Sequence, residues 1–263
     1  MPHWLKSEYV LVLATLAAML AAFSYALALL SQRFRTISYL TELLGEQYGF
    51  VRTKCEVLYE IRDDGSSKTS HNEAFRAGKS ELGGVEHYTA IITSPKNLTQ
   101  DFRVSVKSAH SEVQVIPKET LVTPTKLFYQ LNFIPPLKPD RSIEYTYDVL
   151  GPPGMFLRSE EEVHARKLPY DYISMKIAYP TRRLKITIIF PPDWQIGYLD
   201  YDVWLGDSRL RVKKEYGRLD KANALSKERL DGSIVANLVV DYPVLDLKYA
   251  ITWIPSPAQT TQA

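Results

Sequence analysis

The chain contains 263 residues, of which 45% are hydrophobic, and 32 basic against 30 acidic side chains leave a formal net charge of +2. This composition is typical of a chain that folds, because disordered chains combine low hydrophobicity with a large net charge. The small net charge excludes a general nucleic-acid binder that depends on phosphate neutralisation. The single cysteine, Cys55, excludes an internal disulfide framework, a zinc ribbon and an iron–sulfur cluster.

The first predicted element is a transmembrane helix over residues 9–30, which follows a short flank of residues 1–8. The segment carries no charge in 22 residues, and about 20 apolar helical residues cover a hydrocarbon core of roughly 30 Å. The alternative is a cleaved secretory signal, because Lys6 gives a basic start and Ala26-Leu27-Ala28 has the form of a cleavage site. More basic residues follow the span than precede it, which predicts a single-pass protein with a cytoplasmic C-terminal domain.

One side of this helix is predicted to associate with other copies of the chain. Small side chains recur at every fourth position, namely Ala14, Ala18, Ala22 and Ala26. In lipid, helices associate through close van der Waals contact, which small residues allow. The pattern therefore predicts a homo-oligomer interface, although alanine is also common in membrane helices that do not associate.

Helical periodicity continues into a juxtamembrane stalk over residues 31–50. Its apolar seam recurs at spacings of three and four, through Phe34, Ile37, Thr41, Leu44 and Tyr48. Two heptads fall short of the three or four that are typical of coiled coils, so a helix packed on its own domain satisfies the pattern equally well. Gly45 and Gly49 are expected to end the helix.

Residues 51–254 are predicted to form a mainly β domain. About a dozen runs of alternating polarity are bounded by turn residues and lack the intervening helices that parallel crossovers need. This pattern favours antiparallel sheets packed as a β-sandwich. The first pair is a hairpin, in which Asp64-Gly65 joins a strand from Cys55 to Ile61 with a strand carrying Thr69 to Phe75.

The sequence fits one sandwich or two small ones in tandem. A sub-boundary is predicted near residues 151–168, where Gly151-Pro152-Pro153-Gly154 precedes three consecutive glutamates. We favour one domain with a helical or loop insertion there. Residues 218–232 are expected to form a short helix or a surface loop, and the uncharged residues 255–263 a disordered tail.

No catalytic residue, metal site or cofactor is predicted. The five histidines form no known ligand or catalytic spacing, and Cys55 shares a strand phase with apolar residues, which predicts a buried thiol. Asp200-Tyr201-Asp202 lacks the spacing of a calcium loop and is predicted to carry solvent-facing carboxylates. The 17 tyrosines, several in pairs such as Tyr170-x-Tyr172, suit a binding surface but also suit ordinary strands.

A basic strand is the most suggestive polar feature. Arg209, Arg211 and Lys213 alternate, so their side chains share one strand face. If a neighbouring strand adds Arg182, Arg183 and Lys185, the row could bind the phosphate of a small anionic ligand or of lipid headgroups. The alternative is an edge strand that its charges protect against aggregation.

Several phrases carry a resemblance to known modules. They are Tyr59-x-Ile61-x-x-Asp64-Gly65-Ser66, Phe133-x-Pro135-Pro136-Leu137-Lys138-Pro139, Tyr145-x-Tyr147 and Tyr249-x-Ile251-x-Trp253. In this order they resemble poorly characterised prokaryotic β-sandwich modules that accompany defence or conflict-system signalling proteins. The resemblance covers residues 55 to 253 and implies a sandwich fold. It transfers no functional residue.

The sequence is consistent with three functions. The first is a single-pass membrane protein, not an enzyme, whose sandwich binds a protein partner or a small anionic ligand and which oligomerises through its helix in the bilayer, as in antiviral defence signalling. The second is an envelope structural or assembly protein with an exported sandwich. The third is a membrane-anchored hydrolase, because glycosidic carboxylate pairs can lie far apart in sequence.

Overall fold

The computed structural model describes residues 3–90, 104–108, 112–123, 126–151, 153–206, 210–213 and 225–256. These residues are mainly β, as predicted. The helices are α1 (His3–Tyr48) and α2 (Glu160–Ala165). The strands are β1 (Phe50–Ile61), β2 (Ser67–Ala77), β3 (Leu82–Ala90), β4 (Val104–Ser108), β5 (Gln114–Thr123), β6 (Lys126–Leu137), β7 (Ser142–Gly151), β8 (Asp171–Lys176), β9 (Arg183–Ile189), β10 (Ile196–Leu205), β11 (Leu225–Leu230), β12 (Ser233–Asp241) and β13 (Leu247–Pro255).

The chain divides into two compact units, Met1–Leu40 and Thr41–Ala263. The first unit is helical, and the side chains described between residues 12 and 29 are exposed. The large apolar ones among them are Val12, Leu16, Met19, Leu20, Phe23, Tyr25, Leu27 and Leu29. A search of the described residues finds no helix with both the length and the apolar character that crossing a membrane requires, so the span predicted over residues 9–30 is not confirmed.

In the second unit, the last turns of α1 pack against the start of the β domain. Thr41 is buried, and Gly45 lies so close to Val51 that an added Cβ would overlap the valine side chain. The helix ends at Tyr48, and Gly49 follows with φ of 80°, a conformation that glycine adopts without steric cost. This part of the predicted stalk therefore packs on its own domain.

A seven-stranded central sheet is built in the order β11-β12-β9-β1-β2-β7-β4. The predicted hairpin of β1 and β2 lies near its middle, with Cys55 opposite Glu73, and Gly65 in its turn has φ of 73°. The expectation of purely antiparallel sheets is wrong at one ladder, because β1 and β9 are parallel. The two strands are not joined by a βαβ unit, because seven other strands, β2 to β8, lie between them in the chain.

Two three-stranded sheets cover one face of the central sheet. The C-terminal sheet has the order β10-β13-β8 and packs over β1, β9 and β12, where residues such as Ile186, Leu238 and Trp253 form one apolar cluster. The N-terminal sheet has the order β3-β6-β5 and packs over β2 and β7, where Phe75 and Tyr145 belong to a second cluster. One shared sheet therefore carries two cores, each covered by its own three-stranded sheet.

Three predicted boundary regions can be compared with the structure. The insertion expected at 151–168 contains α2, whose Ser159 cap accepts a hydrogen bond from the Glu162 amide at 3.3 Å. The described part of 218–232 is the edge strand β11 and its turn rather than a helix, because its residues pair with β12. Of the tail predicted over 255–263, residues 257–263 lie outside the description.

Candidate functional site

The outer face of the C-terminal sheet carries aromatic and acidic side chains. Alternate residues of β10 and β13, such as Tyr201 and Trp253, enter the core against the central sheet. The residues between them therefore face the other way. We call this surface the aromatic face and define it by Tyr170, Tyr172, Tyr198, Asp200, Asp202 and Trp204.

This face is unusual because its centre is buried. Trp204 is 1% exposed and Asp202 is 8% exposed, although neither belongs to an apolar core cluster. A sheet face turned away from its core is normally polar and solvated. Side chains that cross the aromatic face therefore shield it from water.

The shielding begins with the packing of two rings. Strand register puts Ala250 beside Asp202 and Ser174 beside Ala250, so the middle row of the face contains small side chains. These small residues leave room for Tyr172 to contact Trp204, with ring centroids 5.0 Å apart at an angle of 82°. Such edge-to-face contact is a favoured arrangement of aromatic rings.

Arg211 completes the cover over this row. Its Nη2 lies 2.8 Å from Asp202 Oδ2 and donates to the Tyr170 hydroxyl at 3.1 Å. Its guanidinium carbon lies 5.6 Å from the centre of the Tyr170 ring, within the range of a cation–π contact. The hydrogen bond with Tyr170 raises the pKa of Arg211 against the opposing effect of burial, and Asp202 raises it further.

The backbone brings Arg211 to this position along the edge of β10. Leu205 donates its amide to the Leu210 carbonyl at 3.0 Å, and Val212 donates to the Val203 carbonyl at 2.9 Å. Arg211 is therefore directly opposite Trp204 in a short antiparallel bridge. Residues 210–213 act as a short extra strand on this edge.

A second carboxylate lies farther along the same strand. The Tyr198 hydroxyl donates to Asp200 Oδ2 at 3.2 Å, and the Thr252 hydroxyl donates to the Asp200 carbonyl oxygen at 3.3 Å. Burial, followed by the charge of Asp200, raises the pKa of Tyr198. The face can thus hold a cation between a carboxylate and a ring and can present phenol hydroxyls to a ligand.

The predicted basic row is divided between two sheets. Arg182 and Arg183 lie at the start of β9 in the central sheet, where Glu42 and Asp241 respectively are their ion-pair partners. Lys185 follows on the outer face of that sheet. Arg211 and Lys213 lie beside β10 instead, and Arg209 is outside the described residues. The neighbours of β9 are β1 and β12, so the two groups do not lie on adjacent strands.

Three other predictions concern the alanine interface, metal ligands and the cysteine. Ala18, Ala22 and Ala26 are exposed on α1, whereas the side chain of Ala14 is not described, so the oligomer interface stays a prediction. Among the described residues, no three His, Cys, Asp or Glu side chains come together as metal ligands. Cys55 is fully buried, and burial raises its pKa to about 12.

A polar cluster that was not predicted from the sequence lies buried between the two cores. Glu73 accepts a hydrogen bond from the Tyr147 hydroxyl at 3.2 Å and lies 3.8 Å from Arg52, which donates to Thr181 at 3.0 Å. His71 stacks on Tyr147 at 4.3 Å. The sequence feature that pointed to it is that His71 and Glu73 alternate with Phe75, so all three lie on the buried face of β2. This cluster is enclosed, so it is a candidate for structural stability rather than for ligand contact.

Comparisons with known proteins identify no relative that assigns a function. No protein family and no curated protein matches the sequence. A solved structure from Parabacteroides distasonis ATCC 8503, provisionally assigned as a protease, matches with a TM-score of 0.42 and 11% identity over 78% of this chain and 40% of its own. The M1 zinc metallopeptidase from Deinococcus radiodurans gives 0.41 and 9% over 78% and 42%, respectively.

A third solved structure comes from Legionella pneumophila and is provisionally assigned as a nutrient binding protein. Its TM-score is 0.40 at 9% identity, over 77% of this chain and 67% of its own. This chain matches about two-fifths of the length of the two peptidase structures, namely 40% and 42%. Similarity at this level carries no argument about function.

Proposed function

We propose that this chain is a membrane-tethered binding protein, not an enzyme, and that the aromatic face is its recognition surface. The supporting observation is that three tyrosines, Tyr170, Tyr172 and Tyr198, lie around the buried Trp204 on the face of the C-terminal sheet that is turned away from the core. Aromatic side chains are enriched at recognition surfaces because they supply rigid contact area with a polar tip. Asp202 and Arg211 add charged groups that can orient a ligand.

Binding accounts for this face better than catalysis does. The carboxylate of Asp202 is engaged by Arg211 at 2.8 Å, as an orienting group would be. The chain's one thiol, Cys55, lies in the core cluster on β1 rather than on this face, so the face offers no thiol nucleophile.

The proposed tether is the N-terminal helix. Its support is the 22-residue uncharged segment over residues 9–30, and the basic residues that follow it favour a cytoplasmic β domain. We expect the full chain to float with liposomes through a density gradient, even in high salt, and a variant lacking residues 1–31 to remain at the bottom. Equal flotation of the two proteins would refute the tether without affecting the recognition surface.

The recognition surface can be tested with three chemically distinct probes. Arginine amide represents a cationic ligand, cellohexaose a neutral sugar and inorganic phosphate an anion. We expect at least one to bind the full chain, as measured by calorimetry, and Tyr172→Ala to weaken that binding by about tenfold or more, since removal of a stacking ring costs on this scale.

The matched control is Lys68→Ala, because Lys68 lies on the outer face of the central sheet and pairs only loosely with Asp148 at 3.6 Å. This variant should bind as the unaltered chain does. If none of the three probes binds, or if both substitutions weaken binding equally, the aromatic face is not the recognition surface.

A further inference from the structure

We propose that residues 210–213 are an internal substitute for an external ligand, and that the aromatic face recognises an extended peptide presenting an arginine followed by an apolar residue. This inference rests on the proposed function, because it names the ligand class of the same surface. The two partners of the Asp202–Arg211 pair differ in how deeply their side chains are buried.

Asp202 lies within a strand of the sheet, whereas Arg211 lies on a short segment at the edge of that sheet. The Asp202 side chain is 12% exposed, but the Arg211 side chain is 59% exposed. Asp202 lies within β10, which pairs along its length with β13. Arg211 is fixed by its contacts with Asp202 and Tyr170 and by the two backbone bonds on either side of it.

The contacts that hold Arg211 are those by which proteins recognise guanidinium groups. A carboxylate oxygen lies 2.8 Å from one of its nitrogens, and the centre of a tyrosine ring lies 5.6 Å from its carbon. Lys248 and Lys176 lie level with Trp204 rather than with Asp202, and Lys176 is 4.0 Å from Asp246. The ion pair of Asp202 with Arg211 is closer, at 2.8 Å.

The backbone geometry adds the requirement for an extended ligand. Residues 210–213 pair with the edge of β10, so a peptide that replaced them would join the sheet as an added strand. Val212 packs against the apolar cluster under the C-terminal sheet, whereas Leu210 is 62% exposed. The sequence Leu-Arg-Val-Lys at this edge thus defines the ligand pattern as an arginine followed by an apolar residue, because only Val212 of the two apolar side chains packs against the cluster.

The internal strand would compete with an external one. A protein whose binding site is filled by its own segment shows an apparent affinity reduced by the fraction of time that the site is closed. Vacating the guanidinium position should therefore strengthen external binding. A partner peptide would have to displace the ion pair and two backbone hydrogen bonds to open the unaltered chain.

The test uses the full chain and the peptide acetyl-Leu-Arg-Val-Lys-amide, labelled with a fluorophore for anisotropy. We expect Arg211→Gln to bind it about tenfold more tightly than the unaltered chain does, because the competitor has lost its charge. Adding Asp202→Asn to this variant should remove about tenfold of affinity, since a charge-assisted hydrogen bond is lost. Arg183→Gln, which alters an exposed arginine of the central sheet, should leave the affinity unchanged.

Several outcomes would overturn the inference. One is equal binding of the peptide by the Arg211→Gln variant and the unaltered chain, and another is equal binding of a peptide with alanine in place of arginine. If Arg211→Gln fails to fold by circular dichroism, Val212→Ala takes its place, because it loosens the internal strand and leaves Asp202 and Tyr170 unchanged. Self-association of the chain through exchanged 210–213 segments, seen by light scattering, would also overturn it.

The probes and the peptide together distinguish a failure of the peptide assignment from a failure of the proposed function. If cellohexaose or phosphate binds and Tyr172→Ala weakens that binding, the recognition surface stands while the arginine-peptide assignment fails. If no probe and no peptide binds, both fail together.

Discussion

Glu42 on α1 and Arg182 before β9 form a two-nitrogen ion pair across 140 residues of sequence. Glu42 Oε1 accepts from Arg182 Nε at 2.9 Å and lies 2.8 Å from Nη2, while Oε2 contacts Arg76. One carboxylate thus holds the end of α1 against two strands of the central sheet. Because Arg182 also donates its amide to the Arg52 carbonyl at 2.9 Å, this contact continues into the start of β1.

Removing the Glu42 charge should loosen this junction. We expect Glu42→Gln to lower the free energy of unfolding by about 1 kcal/mol, at the upper end for partly exposed ion pairs, because two arginines lose their partner. Glu46→Gln is the control, since Glu46 is 59% exposed and its partner Lys79 is 84% exposed. Denaturant unfolding of the full chain would contradict the expectation if the two variants were equally destabilised.

Close packing at the same junction predicts an effect of a single methyl group. Gly45→Ala would improve helix propensity by about 1 kcal/mol, but its Cβ would overlap Val51. We expect net destabilisation of about 1–3 kcal/mol because overpacking shifts the strand start. Gly83→Ala adds a Cβ with no neighbour within 4 Å and should change stability little. A stabilised Gly45→Ala protein would show that α1 does not pack there.

The buried carboxylate of Asp171 should make stability depend on pH. Burial raises its pKa from 3.8 to about 6, against hydrogen bonds from the Leu157 and Tyr172 amides, each at 2.8 Å. Because Asp171 binds more protons in the native state than in the unfolded state between these two values, its contribution to stability should fall as the pH rises from about 4 to 6. The slope from one such group is at most about 1.4 kcal/mol per pH unit.

Asp171→Asn should remove this slope from denaturant unfolding measured at several pH values. Asp64→Asn is the opposite control, because hydrogen bonding from Ser66 lowers the pKa of Asp64. Asp64 therefore contributes stability that is lost as the pH falls through its folded pKa. A wild-type slope that persists unchanged in Asp171→Asn would contradict the assignment.

The polar cluster between the two cores should respond asymmetrically to mutation. Arg52→Met leaves the fully buried Glu73 without the cation at 3.8 Å and should cost about 3–5 kcal/mol. The double substitution Arg52→Met with Glu73→Gln should cost less than Arg52→Met alone, since no buried charge remains unmatched. Lys54→Met, which breaks a partly exposed pair with Glu144 on the outer face, should cost under about 1 kcal/mol. A double variant that is destabilised as much as Arg52→Met alone, or more, would contradict this expectation.

The strands of the fold were predictable because their signals are local. Alternation in β1 and β2 and the Asp64-Gly65 turn are set by neighbouring residues, so both the hairpin and its inward face follow from the sequence. The parallel pairing of Cys55 with Leu184 is not local, and no nearby residue specifies it. The same limit explains why two small covering sheets could not be distinguished from two sandwiches.

The candidate site was only partly predictable for the same reason. Arg211, Tyr170 and Tyr172 were each singled out from their spacing, but Arg211 was assigned to an anion site. Its carboxylate partner, Asp202, lies on another strand and was expected to face solvent. Sequence periodicity reports the face on which a side chain lies, whereas a charge partner depends on which strands become neighbours.

The most direct test of the recognition surface is hydrogen exchange of the full chain, followed by mass spectrometry, with and without each probe that binds. A ligand on the aromatic face should slow amide exchange in residues 170–176 and 196–205 and leave β2 and β11 unchanged. Slowed exchange confined to the central sheet, or bound probe with no change in β8 and β10, would contradict the central claim.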